Sequence, residues 1–127
     1  MRRCVIVIAV ILALVVCAGG LCEGYNSALV RRYRQALLPI SVAIQQENWQ
    51  EAARQTAALA QQWDREAGWV QLWIHHAETD AVSHALNGLS ASLAARDTLS
   101  SWLYYGECIE NFAHLHHRDA FTLKNIL

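Results

Sequence analysis

Asn48-Trp49-Gln50-Glu51-Ala52-Ala53-Arg54-Gln55-Thr56-Ala57-Ala58-Leu59-Ala60-Gln61-Gln62-Trp63 is the stretch that decides the fold. Trp49, Ala52/Ala53, Thr56, Leu59/Ala60 and Trp63 recur every three or four residues, which lays one stripe along a helix. Asn48 can accept a hydrogen bond from a free N-terminal amide, and Glu51 three residues later makes a variant of the capping box. Glu66-Ala67-Gly68 offers a glycine stop at the other end. The pattern predicts a helix from about Asn48 to Gly68.

The same periodicity continues in both directions. Upstream, Leu29/Val30, Tyr33, Ala36/Leu37, Ile40 and Ala43/Ile44 mark a helix from Ser27 to Gln46. Pro39 lies inside it, removes one backbone hydrogen bond, and is expected to kink or break it. Downstream, a third helix is predicted from Trp69 to Ala95. Its early apolar set (Val70, Ile74, Ala77, Ala81) sits roughly 120° around the axis from its later set (Val82, Leu86, Leu89, Leu93). Such a helix either changes neighbours along its length or bends near Gly88. Asp97 can cap a fourth helix, with Leu99, Trp102/Leu103, Gly106, Ile109 and Ala113 on one face to about His116. Phe121–Leu127 reads as a short tail. One Pro, six Gly and an abundance of Ala, Leu, Gln, Glu and Arg suit helices and leave no convincing strand. The short loops favour antiparallel neighbours, hence an up-down bundle. The Asn-Trp-x-x-Ala opening also fits half of a helical-hairpin repeat, although one such unit does not establish a solenoid.

Before the bundle lies Cys4-Val5-Ile6-Val7-Ile8-Ala9-Val10-Ile11-Leu12-Ala13-Leu14-Val15-Val16-Cys17-Ala18-Gly19-Gly20-Leu21-Cys22, without a charge. As a helix it is about 28 Å long, close to the hydrocarbon thickness of about 30 Å. Its Val, Ile and Leu residues favour insertion by roughly 3–6 kcal/mol. The favoured expectation is an uncleaved signal anchor over residues 1–22, followed by a helical domain over 23–127. The rival is a secreted helical protein: Arg2-Arg3 makes an n-region, Val5–Val16 an h-region, and Val16-Cys17-Ala18 a plausible cleavage site. Neither Cys17 nor Cys22 has a lipoprotein context. Arg31, Arg32 and Arg34 argue for a cytoplasmic domain, whereas Arg2, Arg3 and the export-like start place the bulk of the chain outside. The expectation is therefore a single-pass protein of the cell membrane with an extracytoplasmic domain.

A formal net charge of −1 gives no reason to expect nucleic acid or an acidic substrate. Arg31-Arg32-Tyr33-Arg34 is a solvated helix face just above the bilayer or a contact for anionic headgroups. Outside the apolar segment only Cys22 and Cys108 remain, either as free thiols or, in an oxidising compartment, as a disulfide.

Trp73, His76, Glu78 and Asp80 form the candidate structural or recognition cluster. His76, Asp80 and His84, four apart, project to one side of a helix and are weak metal candidates, with His84 drifting toward the apolar face. The structural alternative is a His76–Asp80 hydrogen bond or charge pair. His114 and His117, three apart in a set with His75 and His116, are a second weak metal pair. A polar face that gains charge below about pH 6.5 is the plainer account of them. The five tryptophans fit core or interface better than an aromatic ligand cage. No nucleophile elbow, phosphate loop or cofactor motif is present, so the chain does not read as an enzyme and no cofactor is expected.

In order, Asn48-Trp49-x-x-Ala52, Trp63, Trp73-x-x-His76-x-Glu78-x-Asp80, Leu86-x-x-Leu89 and Leu123-Lys124-Asn125-Ile126-Leu127 resemble the bacterial family of domain of unknown function 4363. The resemblance spans nearly the whole chain. Asn111-Phe112-Ala113-His114-Leu115-His116-His117 departs from it, being less charged than the family habit. It implies a small protein with an N-terminal hydrophobic helix, a helical remainder, and a gene neighbouring one for a multi-spanning membrane protein. It implies no activity.

Together these features predict an all-α chain, with an N-terminal transmembrane helix and an antiparallel bundle of about four helices. The expected role is binding, as an accessory module for an integral membrane or envelope protein. A metal-binding or pH-responsive histidine module is the competitor. The bilayer is an expected partner, and the oligomeric state is left open.

Overall fold

The computed structural model describes the main chain over residues 1–126 and side chains over residues 1–115. Four helices account for nearly all of it: α1 (Arg2–Gln45), α2 (Trp49–Val70), α3 (His76–Ala94) and α4 (Thr98–Ile126). Each helix packs on its sequence neighbours, and α4 closes the ring onto α1. The diagonal pairs α1/α3 and α2/α4 have no close backbone approach among the described residues. This is the expected antiparallel bundle.

Its boundaries differ from the expected ones in four places. The apolar segment and the first bundle helix are one continuous helix, α1, which also runs through Pro39. The carbonyl that Pro39 leaves without a partner belongs to Gln35, and both residues are exposed, so water can take the place of the missing amide. Gly68 does not stop α2, which continues to Val70. The long third helix is divided, because residues 71–75 turn and α3 begins at His76. That turn separates Val70 and Ile74 from the later set, while Ala77 and Ala81 lie on α3 itself, Ala77 exposed and Ala81 half-buried; no bend at Gly88 is needed. Finally, α4 continues past His116 to Ile126, where a tail was expected.

The core holds Leu37, Ile40, Ile44, Trp63, Val82, Leu86, Leu89, Leu93 and Phe112, each 1% exposed or less. At its centre the Tyr33 and Phe112 rings stack 4.6 Å apart, and Trp63 meets both edge-on at 5.5 and 5.3 Å. Aromatic pairs at these distances and angles contribute about 0.5–1.5 kcal/mol each beyond burial. Trp63 Nε1 also donates to Ser83 Oγ at 3.0 Å.

The two halves of the bundle repeat one another. The α1–α2 and α3–α4 turns both hold their middle residue in the left-handed region, Glu47 at φ 53° and Arg96 at φ 54°. In the first turn Glu47 N donates to Ile44 O (3.0 Å) and Asn48 N to Ala43 O (2.9 Å). In the second, Arg96 N donates to Leu93 O (3.1 Å) and Asp97 N to Ser92 O (3.0 Å). Both are Schellman closures. Asn48 then caps α2 through Glu51 N (3.3 Å), and Asp97 caps α4 through Ser100 N (3.1 Å). At the same constant offset, Leu37 matches Leu86, Ile40 matches Leu89, Ile44 matches Leu93 and Trp63 matches Phe112, all buried. Ser92 and Ser101 stand where the first hairpin has Ala43 and Ala52. Their buried hydroxyls are satisfied, Ser101 Oγ donating to Ser92 Oγ (3.2 Å) and Ser92 Oγ to Leu89 O (2.9 Å).

The N-terminal part of α1 projects from the bundle. Its large apolar residues from Val5 to Val16 are each 52–65% exposed. It is long and apolar enough to cross a membrane.

Candidate functional site

The turn between α2 and α3 separates the predicted cluster. Trp73 is half-buried within the turn; its Nε1 donates to Asn26 Oδ1 of α1 at 2.9 Å, and its ring meets Tyr25 edge-on at 5.5 Å. Trp73 therefore ties the turn to α1. His76 opens α3 with an exposed side chain, and its carbonyl accepts from Thr79 Oγ1 at 2.9 Å. Glu78 is half-buried in the first turn of α3, where a carboxylate opposes the helix dipole favourably. Asp80 is exposed, and no hydrogen bond or ion pair links it to His76.

The metal candidates among the described residues do not converge. His84 is exposed on the outer face of α3, a correction to its expected drift toward the apolar side. His76, Asp80 and His84 share that outer face, and His114 is exposed on α4. Among the described residues no three of His, Cys, Asp and Glu are placed to hold one ion. The side chain of His117 lies outside the described residues. All four cysteines are free, Cys22 half-buried and Cys108 fully buried. Burial, with a smaller push from the Glu107 charge, raises the Cys108 thiol to about 12, so it is a poor nucleophile.

Sequence reasoning missed a different grouping. The Arg31-Arg32-Tyr33-Arg34 run is split between two flanks of α1. Arg32 turns to α2, donating through one nitrogen to both oxygens of Glu66 at 2.5 and 2.6 Å. Tyr33 OH donates to the same carboxylate at 3.0 Å. Burial, then the charge and hydrogen bond of Glu66, hold the Tyr33 phenol protonated well above its usual range. Arg31 and Arg34 turn toward α4 and form no ion pair among the described residues. With Ser27, Val30, Gln35, Leu38 and Ile109 they line a groove of about 510 Å³. Helical spacing carried a signal for this division. Arg31, Arg34 and Leu38 share one side of α1, and Arg32 lies on another.

Leu38 (59% exposed) lines the groove from α1 and Ile109 lines it from α4. Among the described residues the groove therefore combines an apolar floor with two guanidinium groups that form no ion pair.

A family model described as a domain of unknown function, DUF4363, matches residues 25–126. The chain belongs to the DUF4363 family. The matched span starts just beyond the apolar segment and covers the helical bundle. No curated protein and no solved structure matches this DUF4363 chain.

Proposed function

We propose that this DUF4363 protein is a single-pass membrane protein whose extracytoplasmic bundle binds another membrane or envelope protein through the face shared by α1 and α4. One observation carries the reading: a groove with an apolar floor beside Arg31 and Arg34, neither of which is paired with a carboxylate among the described residues. The partner that fits is an integral membrane protein with an acidic, amphipathic segment close to the bilayer. The exposed apolar stretch of α1 supports anchoring, because leaving it in water costs about 25 cal/mol per Å² of apolar surface. Confining both proteins to one membrane raises their effective concentration, so a weak interface suffices. Binding, rather than catalysis, also suits the protonated Tyr33 and Cys108, neither of which is poised as a nucleophile.

Crosslinking and co-purification from native membranes test the reading. Arg31→Glu with Arg34→Glu, or Leu38→Asp alone, should remove the co-purifying partner while helical circular dichroism stays unchanged. A full-length protein that crosslinks only to itself would defeat the partner assignment. Intact mass after membrane extraction tests the anchor, since a chain lacking about its first 18 residues would be a cleaved, secreted one. Protease treatment of intact cells should digest the bundle if it lies outside.

A further inference from the structure

We propose that the α2–α3 turn is a second membrane contact, with Leu72 and Trp69 resting in the headgroup layer beside the anchor; this rests on the anchor assignment made above. From Ala67 to Ala77 the chain carries no Asp, Glu, Lys or Arg. Within this run Val70 and Ile74 turn inward and are buried. Trp69 and Leu72 turn outward, at 63% and 69% exposed. A tryptophan and a leucine so exposed, at a turn, gain nothing from the bundle.

Three contacts set the height of this turn against α1. Tyr33 meets Trp63, Arg32 and Tyr33 meet Glu66, and Asn26 with Tyr25 meets Trp73. The antiparallel register therefore brings the turn down to the level of Asn26. Asn26 follows Cys22, the end of the apolar segment, by only four residues, or about 6 Å of helix rise. The headgroup layer extends about 5–8 Å beyond the hydrocarbon on each side. Leu72 is thus level with that layer, and Trp69, one helical turn back along α2, is level with its outer edge. Trp is the side chain most suited to that depth, since its ring partitions into the interface and its N–H still finds a polar partner. The other turns, at Glu47 and Arg96, lie at the opposite end of the bundle and carry charge instead. The occupant of the exposed Trp69–Leu72 patch is accordingly lipid, and the bundle is held to the surface at two points, the anchor and this turn.

Tryptophan emission of the full-length protein in phosphatidylcholine vesicles tests this. One vesicle preparation has acyl chains brominated near the glycerol end, and a matched one has none. In a Trp73→Phe background bromolipid should still quench part of the emission, and adding Trp69→Phe should remove most of that quenching without changing helical content. Trp102→Phe, at the far end of the bundle, should leave it intact. If the Trp69 component is instead quenched by aqueous iodide and not by bromolipid, the turn faces water and the proposal fails, while flotation of the protein with the vesicles keeps the anchor. If the protein does not float with the vesicles, the anchor assignment falls, and this contact falls with it.

Discussion

Among the described side chains, one buried polar group lacks a hydrogen-bond partner. Thr56 is fully buried on α2, and its hydroxyl oxygen has no hydrogen-bond partner among the described residues. A buried hydroxyl without a partner costs about 1–3 kcal/mol. Thr56→Val keeps the shape and removes the polar atom, so it should stabilise the fold by about 1–2 kcal/mol, measured by thermal unfolding in detergent micelles. An unchanged or lowered melting temperature would show that Thr56 finds a partner after all. Glu66 illustrates the opposite case. Its carboxylate is engaged by Arg32 and Tyr33 together, and it joins α1 to α2 beside the aromatic centre. Nothing in the local sequence around Glu66 marks it, because its partners are more than thirty positions away.

Among the elements, the turns and one close helix contact carry the testable strain. Glu47 and Arg96 occupy left-handed positions that favour glycine. Glu47→Gly and Arg96→Gly should each stabilise by about 0.5–1 kcal/mol, the relief of side-chain strain exceeding the added freedom of the unfolded chain; urea midpoints check this. Gly88 is the converse. A Cβ there would meet Cε1 of Tyr104 at 2.3 Å, so α3 and α4 approach closely because residue 88 has no side chain. Gly88→Ala should destabilise by about 1–3 kcal/mol. In a Tyr104→Ala background the same change should be neutral or stabilising, as alanine's helix preference is about 1 kcal/mol better than glycine's. A Gly88→Ala effect identical in both backgrounds would refute the contact. Element types were legible in the sequence wherever stripes and caps coincided: Asn48 and Asp97 cap where expected. The α2–α3 boundary was not, because Gly68 continues the helix and His75 opens α3 with no side-chain cap. The candidate cluster of Trp73, His76, Glu78 and Asp80 was assembled from neighbours in sequence. Trp73 found its partners on α1 instead, a relation that spacing within one helix does not encode.

At the scale of the molecule, proton linkage sets how the bundle responds to alkali. Tyr33 and Cys108 both hold their protons more tightly when folded than their ordinary values, Cys108 from 9.0 up to about 12. Raised folded values mean that the unfolded chain releases these protons first. Stability from these groups is therefore complete below about pH 9 and declines as pH climbs above it. Unfolding free energy should fall between pH 8.5 and pH 11, and Cys108→Ala should flatten that fall; an equally steep decline in the variant would assign it elsewhere. The repeat of the α1–α2 hairpin by α3–α4 was also invisible to a motif search. Few buried pairs are identical, as Leu37 and Leu86 are; others change size or polarity, as with Trp63 and Phe112, Leu59 and Cys108, or Ala43 and Ser92.

The unbroken course of α1 has a mechanical consequence. One rod reaches from Arg2 to Gln45, with no hinge between the part that suits the bilayer and the part that carries the core. Gln45 stands about 35 Å past Cys22 along that rod. Transmembrane helices tilt by about 20° on average, and a tilt of that size would swing the distal turns sideways by about 12 Å. On the anchor assignment, the protein is a lever: a change in bilayer thickness or in a neighbour's packing inside the membrane reaches the far end of the bundle as displacement, amplified by length alone.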